Sequence, residues 1–260
     1  MAVLTKPAPK VASKIALVTG AAKRIGRAVA FALAKRGYDI GVHYGTSASD
    51  AQALVERLRA SGVRAEALQA DLSDADSVNA LIPAAVAALG PVSLLINNAS
   101  VFFDDRAGTL TVERWHAHMN TNLLAPVLLA QGFAAQGPLP DGAAIVNLID
   151  QRVLKPSPPF FSYGLSKAGL WHATRTLAQE LAPRIRVNAV GPGPTLPSIH
   201  QTDADFEAEA ASTLLQKRVT PEEIAEAVVF LAEAPSVTGQ MICVDSGQHL
   251  GWKTPDMEGL

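Results

Sequence analysis

From Lys14 onward, short apolar runs alternate with longer segments of helical period. A strand covered on both faces reads as a continuous apolar run, and the helix that covers it repeats near 3.6 residues. The alternation therefore commits the chain to βαβ units and a parallel sheet. Seven strands are expected, at Ile15–Thr19, Tyr38–Tyr44, Ala65–Ala70, Val92–Ile96, Ala143–Leu148, Ile185–Val190 and Gln240–Asp245. Helices are expected over Ile25–Arg36, over Ala48–Ala60 with Gly62 as its stop, and over Asp74–Leu89 up to Gly90-Pro91. Further helices follow from Val112 to about Phe133, over Tyr163–Leu181, and from Thr220 to about Ala234. The last begins with Thr220-Pro221-Glu222-Glu223, which combines an N-cap, a first-turn proline and a glutamate at the third position. The stretch from Gly191 to about Asp205, rich in Pro, Gly, Ser and Thr, is long for a connection in a compact domain and reads as functional.

Composition narrows the class. Hydrophobic residues make up 48% of the 260 residues and charged residues 18%, enough to bury a sizeable core. No composition break divides the chain, so one domain is expected over 14–260, preceded by a flexible arm at 1–13. Net charge is 22 − 24 = −2, which leaves no basic excess for nucleic acid. No window approaches the roughly 20 apolar residues of a membrane span, and Met1 to Lys14 has no apolar signal core. The single cysteine, Cys243, cannot form an internal disulfide and points to a reducing compartment. The expectation is a cytoplasmic protein that acts on a small molecule, with no nucleic-acid or membrane partner. No metal site is expected: His116 and His118, two apart on a helix, point to different faces.

Thr19-Gly20-Ala21-Ala22-Lys23-Arg24-Ile25-Gly26 joins the first strand to the first helix. Gly20 permits a sharp turn and Gly26 a close helix–sheet approach, so the free N–H groups of the turn and the helix N-terminus face a pyrophosphate. Strand, turn and helix together are the context that supports nucleotide binding in a Rossmann-type doubly wound fold. The second strand ends in His43-Tyr44-Gly45-Thr46-Ser47, with no acid before Asp50 to take a ribose 2′-hydroxyl. With Lys23 and Arg24 nearby, this suits a 2′-phosphate, and NADP(H) is the expected cofactor.

Tyr163 and Lys167 are four apart at the start of a helix and share a face. An ammonium close to a phenol favours the phenolate, so Lys167 is expected to lower the Tyr163 pKa from its usual value of about 10. That would make Tyr163 a proton donor usable near neutral pH.

From Lys14 to about Leu250 the chain resembles the short-chain dehydrogenase/reductases. The resemblance is carried by Thr19–Gly26, Asp71-Leu72, Asn97-Asn98-Ala99, Asn122, Tyr163 with Lys167, and Asn188 to Gly193 with its Pro192-Gly193. It implies a single parallel sheet of about seven strands flanked by helices, a homotetramer, and a catalytic set that includes Asn122, Tyr163 and Lys167. Asn122 would hold a water relay. The cofactor would be contacted by Gly20, Lys23, Arg24, Ile25, Gly26, Tyr44, Thr46, Ser47, Asp71, Leu72, Asn98, Ala99, Ser100, Tyr163, Lys167, Pro192 and Gly193.

One position departs from that family. Asp150 stands where the family usually has a serine, 13 residues before the tyrosine. An ionised carboxylate there repels a forming oxyanion, but it can support protonation of a ring nitrogen. Within the superfamily the pattern is similar to pteridine reductases and dihydromonapterin reductases, through Lys23-Arg24, Asp150 and the aromatic Phe102 after Ser100-Val101. That likeness implies a substrate site of Arg24, Ser100, Phe102, Asp150 and Tyr163, with a pterin stacked on Phe102. It points to an NADPH-dependent reductase of dihydrobiopterin, dihydromonapterin or dihydrofolate. A reductase of ketones or 3-oxoacyl thioesters is the alternative, and a catalytically silent NADP-binding sensor is a third reading.

Overall fold

The computed structural model describes residues 14–198 and 200–252, so the expected N-terminal arm lies outside the described residues. Seven parallel strands form one sheet: β1 (Ile15–Val18), β2 (Asp39–Tyr44), β3 (Ala65–Gln69), β4 (Leu94–Asn97), β5 (Ala144–Leu148), β6 (Arg186–Pro192) and β7 (Met241–Val244). Their order across the sheet is β3-β2-β1-β4-β5-β6-β7. The order reverses between β1 and β4, and a crevice opens beyond the carboxyl ends of these strands.

The central strands are buried on both faces, which is why β1, Ile-Ala-Leu-Val, reads as an unbroken apolar run. Ala16 and Val18 point into one core, with α1 (Arg24–Lys35), α2 (Ala48–Ala60) and α8 (Pro221–Glu233). Ile15 and Leu17 point into the other, with α3 (Ala75–Leu89), α5 (Ala125–Ala135) and part of α6 (Phe161–Leu181). The fully buried Phe133 of α5 belongs to this second core. Burying such a side chain contributes about 1.5–3 kcal/mol.

Local chemistry sets the ends of several elements. Asp74 caps α3 by accepting from Ser77 N, and Thr220 with Glu223 closes a capping box on α8. Gly62 and Gly90, at φ +97° and +108°, take left-handed turns after α2 and α3.

Two expectations are corrected. The single helix expected from Val112 to Phe133 is α4 (Val112–Met119), a π turn over Asn120–Leu124, and then α5. Pro126 accounts for the break: it has no N–H to give the carbonyl of Asn122, as a regular α-helix would require. The irregular stretch after the sixth strand is also shorter than expected. β6 runs on to Pro192, and α7 (Asp203–Ala211) begins behind a Thr202–Asp205 capping box. Among the described residues, no helix is long and apolar enough to cross a membrane.

Candidate active site

The turn after β1 is stapled to the end of β4. Thr19 Oγ1 accepts from the backbone N–H of Asn98 and Ala99 at 2.9 and 3.0 Å, and Asn98 Nδ2 donates to the carbonyls of Thr19 and Gly20. A Cβ on Gly26 would stand 2.3 Å from the Gly20 carbonyl oxygen, so only glycine lets α1 approach this closely. His43 on β2 completes the turn, a role the sequence reading missed. Its Nδ1 accepts from Gly20 N at 3.0 Å and its Nε2 lies 3.2 Å from the Ala70 carbonyl oxygen. This pairing requires the neutral ring with its proton on Nε2. Burial agrees, holding the imidazole pKa down at about 4.

The start of α1 suits an anion. Its cap residue, Lys23, places no side-chain bond on the first turn, and that turn carries no acid. Unpaired N–H groups and the positive end of the helix dipole therefore face the crevice. The two basic residues, however, are engaged elsewhere. Lys23 Nζ pairs with Asp50 at 2.9 Å, and Arg24 donates to the carbonyls of Leu196 and Pro197 at 3.1 Å each. Both stand at the expected turn, held by partners within the chain. Asp50 lies in the first turn of α2, within reach of Lys23, and Arg24, at φ +54°, clasps the loop after β6.

The remaining expected cofactor residues gather at the same end of the sheet. Ile25, Asn98, Ser100, Pro192 and Gly193 line a cavity of about 270 Å³ there, and Ala99 is tied to Thr19. Tyr44 ends β2 half-buried, followed by the exposed Thr46 and half-buried Ser47. Asp71 is exposed, and its carboxylate accepts from Ser73 N and Oγ, which lowers its pKa. Leu72 is buried beside it.

The same cavity holds the expected chemistry. Asp150, just past β5, accepts from Tyr163 Oη at 2.9 Å through Oδ2 and from Arg152 N at 2.8 Å through Oδ1. Lys167 Nζ donates to the Leu148 carbonyl at 2.9 Å and lies 5.7 Å from the Tyr163 ring centroid. Burial pushes the Asp150 carboxyl up, against the pull of Arg152 and its hydrogen bonds. Burial, and then the Asp150 charge, raises the Tyr163 phenol well above its usual value. Burial lowers Lys167 to about 8 although Asp150 opposes the shift. The expectation that Lys167 lowers Tyr163 is thus corrected: the ammonium is turned to a backbone carbonyl, and the charge touching the phenol is negative. Tyr163 is held as a neutral phenol, the form that can donate a proton.

Asn122, fully buried in the π turn, serves as a clamp. Its Oδ1 accepts from Val101 N and Ser100 Oγ, while Nδ2 donates to Val101 O and Ser166 Oγ. It thereby fixes the loop that carries Phe102. The Phe102 ring stacks on Phe160 at 4.2 Å and meets Tyr163 edge-on at 4.7 Å. Phe160, left-handed at φ +60°, is a member of the site that the sequence reading did not name.

A second network was missed as well. His118 Nε2 accepts from Phe103 N at 3.1 Å, so its Nδ1 carries the proton toward Ser162 Oγ, 2.6 Å away. Ser162 Oγ donates to Asp105 Oδ2, and Ser162 N donates to Asp105 Oδ1 at 3.0 Å. All three side chains are buried, and burial lowers the His118 pKa. The chain fastens the Phe102 loop and α4 to the first turn of α6, next to Tyr163. His116 is exposed and takes no part.

Outside the cavity, ligating atoms of Cys243, Asp245 and His249 approach within 4.8 Å of one another. The Asp245 carboxylate already accepts from Gly247 N, His249 N and His249 Nδ1, and burial raises the Cys243 thiol to about 11. The cluster closes the turn after β7.

Fold and site agree with the comparisons. Residues 20–249 match the family described as enoyl-(acyl carrier protein) reductase. The 3-oxoacyl-[acyl-carrier-protein] reductase FabG of Staphylococcus aureus is 35% identical over 243 residues, which cover 92% of this chain and 99% of that protein. The chain belongs to the short-chain dehydrogenase/reductase family. Among solved structures, FolM alternative dihydrofolate reductase 1 from Brucella suis, in complex with NADP, is 46% identical with a TM-score of 0.90. Its counterpart from Brucella canis, complexed with NADP, is 44% identical with a TM-score of 0.88. Each alignment covers 94% of this chain and 98% of the other.

Proposed function

We infer that the protein is an NADPH-dependent reductase of pterin-type substrates, of the dihydrobiopterin, dihydromonapterin or dihydrofolate class. The observation that carries this reading is the Tyr163–Asp150 hydrogen bond beneath the Phe102 ring. A carboxylate against the proton donor opposes oxyanion formation, which a ketone or 3-oxoacyl thioester requires. It favours a substrate that gains positive character or a proton at nitrogen. The solved FolM structures with NADP support the same reading, and the 3-oxoacyl reductase relatives support the alternative.

The uncapped start of α1, with the Gly20–Gly26 turn, would hold the pyrophosphate, and Tyr44, Thr46 and Ser47 would flank the adenosine end. Bound NADPH supplies the hydride. Tyr163 would donate the proton from its neutral phenol, and Asp150, hydrogen-bonded to that phenol, orients it and would pass a proton taken up from solvent to the phenolate left behind. Lys167, anchored by its bond to the Leu148 carbonyl, would hold the nicotinamide ribose. The Asn122 carbonyl, denied an α-helical partner by Pro126, holds the relay water. Phe102 stacks on the flat ring, and stacking of this kind adds about 0.5–1.5 kcal/mol beyond area burial. The half-exposed Leu124 and Leu165 suit subunit contacts in a homotetramer. The lone thiol suits a cytoplasmic setting.

The test is NADPH oxidation measured side by side with dihydropterins, dihydrofolate, simple ketones and a 3-oxoacyl thioester. The reading expects turnover with the pterins. Turnover confined to the ketones or the thioester overturns it.

A further inference from the structure

Arg152 has no part in the chemistry above, yet it lines the same cavity as Tyr163 and Phe102. It stands in a single 3-10 turn, Gln151–Val153, capped by Asp150. Its guanidinium lies over two rings, with Cζ 5.1 Å from the Phe160 centroid and 5.8 Å from the Phe102 centroid. Its Nη1 is buried and has no hydrogen-bond partner among the described residues.

The carboxylates lining the cavity hold other donors. Asp150 accepts from Arg152 N and Tyr163 Oη, and Glu209 on α7 accepts from the Gln201 and Gln248 side-chain amides. A guanidinium cannot give up its charge, and a desolvated donor without an acceptor is an uncompensated cost. Unsatisfied buried groups of this kind are rare in folded proteins and call for a reason. A bound molecule that enters this cavity can supply the acceptor. Phe102, one of the two rings beneath the guanidinium, is the ring against which a flat substrate packs in the pterin reading, so an acceptor on that substrate arrives beside Arg152.

We propose that Arg152 recognises an acceptor oxygen of the substrate, a ring carbonyl or a tail carboxylate, at the edge of the Phe102–Phe160 stack. This inference rests on the pterin reading above. It makes Arg152 a determinant of which pterins bind. A competing role is purely electrostatic, because the Arg152 charge also draws the nearby Asp150 carboxyl down. That role acts on proton transfer rather than on binding, so the two separate experimentally.

The experiment compares wild type, Arg152→Gln and Arg152→Lys in steady-state NADPH oxidation across pH, with dihydrobiopterin and with dihydrofolate. Only dihydrofolate carries carboxylates. Unchanged Tm and NADPH affinity establish that the variants are folded. A charge-assisted hydrogen bond predicts a KM about 10–100-fold higher in Arg152→Gln, kcat within about threefold, and partial rescue by Arg152→Lys. A rise with both substrates assigns the acceptor to the ring carbonyl, and a rise with dihydrofolate alone assigns it to the tail. An unchanged KM for both overturns the proposal. So does a fall in kcat with a displaced pH profile at constant KM, which marks action through Asp150. If wild type turns over neither pterin, the underlying reading fails. Arg152 is then judged by calorimetric titration of biopterin and p-aminobenzoylglutamate into the NADP-loaded wild type and Arg152→Gln, where equal affinities overturn the proposal.

Discussion

Replacing Asp150 separates a pterin reductase from a ketone reductase. The carboxylate accepts the Tyr163 phenol proton at 2.9 Å inside the protein, with its other oxygen on Arg152 N. A positioned acid–base group contributes about 10²–10⁴ in rate, or roughly 3–5 kcal/mol of barrier. Asp150→Ser is expected to lower dihydropterin turnover by that factor. It also installs the hydroxyl that stabilises an alkoxide, so any weak ketone activity persists or rises. Asp150→Asn keeps the shape and removes the charge, and it reverses the bond, since an amide N–H then donates to the phenol. The loss in Asp150→Asn is expected to match that in Asp150→Ser. A second signature lies in pH. Lys167 sits at about 8, and the Asp150 charge is what holds it up against burial. Activity that needs the Lys167 ammonium falls as pH rises through about 8, and removing Asp150 moves that limb to lower pH. The assay is NADPH absorbance with dihydropterin and ketone in parallel, each over a pH series. Full dihydropterin turnover by Asp150→Ser, with an unmoved alkaline limb, would falsify the assignment.

Three further outcomes follow from the geometry. NADPH is expected to be preferred over NADH by about tenfold or more. Because Lys23 is half-exposed and paired with Asp50, Lys23→Ala should narrow that ratio only a few-fold, and Asp50→Asn should widen it; equal catalytic efficiency of wild type with the two cofactors refutes the preference. The loop from Gly193 to Thr202, between β6 and α7, is expected to gain hydrogen-exchange protection when cofactor and substrate bind, and Arg24→Ala should loosen it in the free enzyme by cutting two bonds. Exchange there that neither ligand nor variant alters speaks against a closing loop. His43 is expected to dominate acid sensitivity: its folded pKa of about 4 lies below the usual 6.5, so its contribution is whole above pH 6.5 and is lost as pH falls toward 4. The loss amounts to about 3 kcal/mol, and denaturant titrations of wild type and His43→Gln at neutral pH and near pH 4 check it. A pH dependence that His43→Gln leaves intact assigns the effect elsewhere.

The parts of this molecule that were legible in the sequence share one property: their cause is local in the chain. The central strands are rich in apolar residues because helices cover both faces, and that requirement is written residue by residue, as in Ile15 to Val18. Caps such as Thr220-Pro221-Glu222-Glu223 carry their partners three residues away. Two misses were also local and could have been found. Thr202 and Asp205 repeat the spacing used at Thr220, yet the first turn of α7 falls inside the stretch expected to be irregular, because only Phe206 and Ala210 mark its buried face. Pro126 sits four residues after Asn122 and signals the π turn by the bond it cannot make.

The other misses have causes outside any short window. His43 matters because β2 lies beside β1 and brings its ring to Gly20. Asp105, His118 and Ser162 meet only after a loop, α4 and α6 have docked. The Tyr163–Lys167 spacing shows the same limit most sharply. Four residues on a helix place both side chains on one face, and that much held. The ionisation of that face, however, is decided by what β5 delivers to it. Leu148 offers a carbonyl that captures the ammonium, and Asp150 offers a carboxylate that holds the phenol neutral. The residue that departs from the family pattern thus sets the protonation of the residues that keep to it, which is why the substrate reading turns on Asp150 rather than on the more familiar pair.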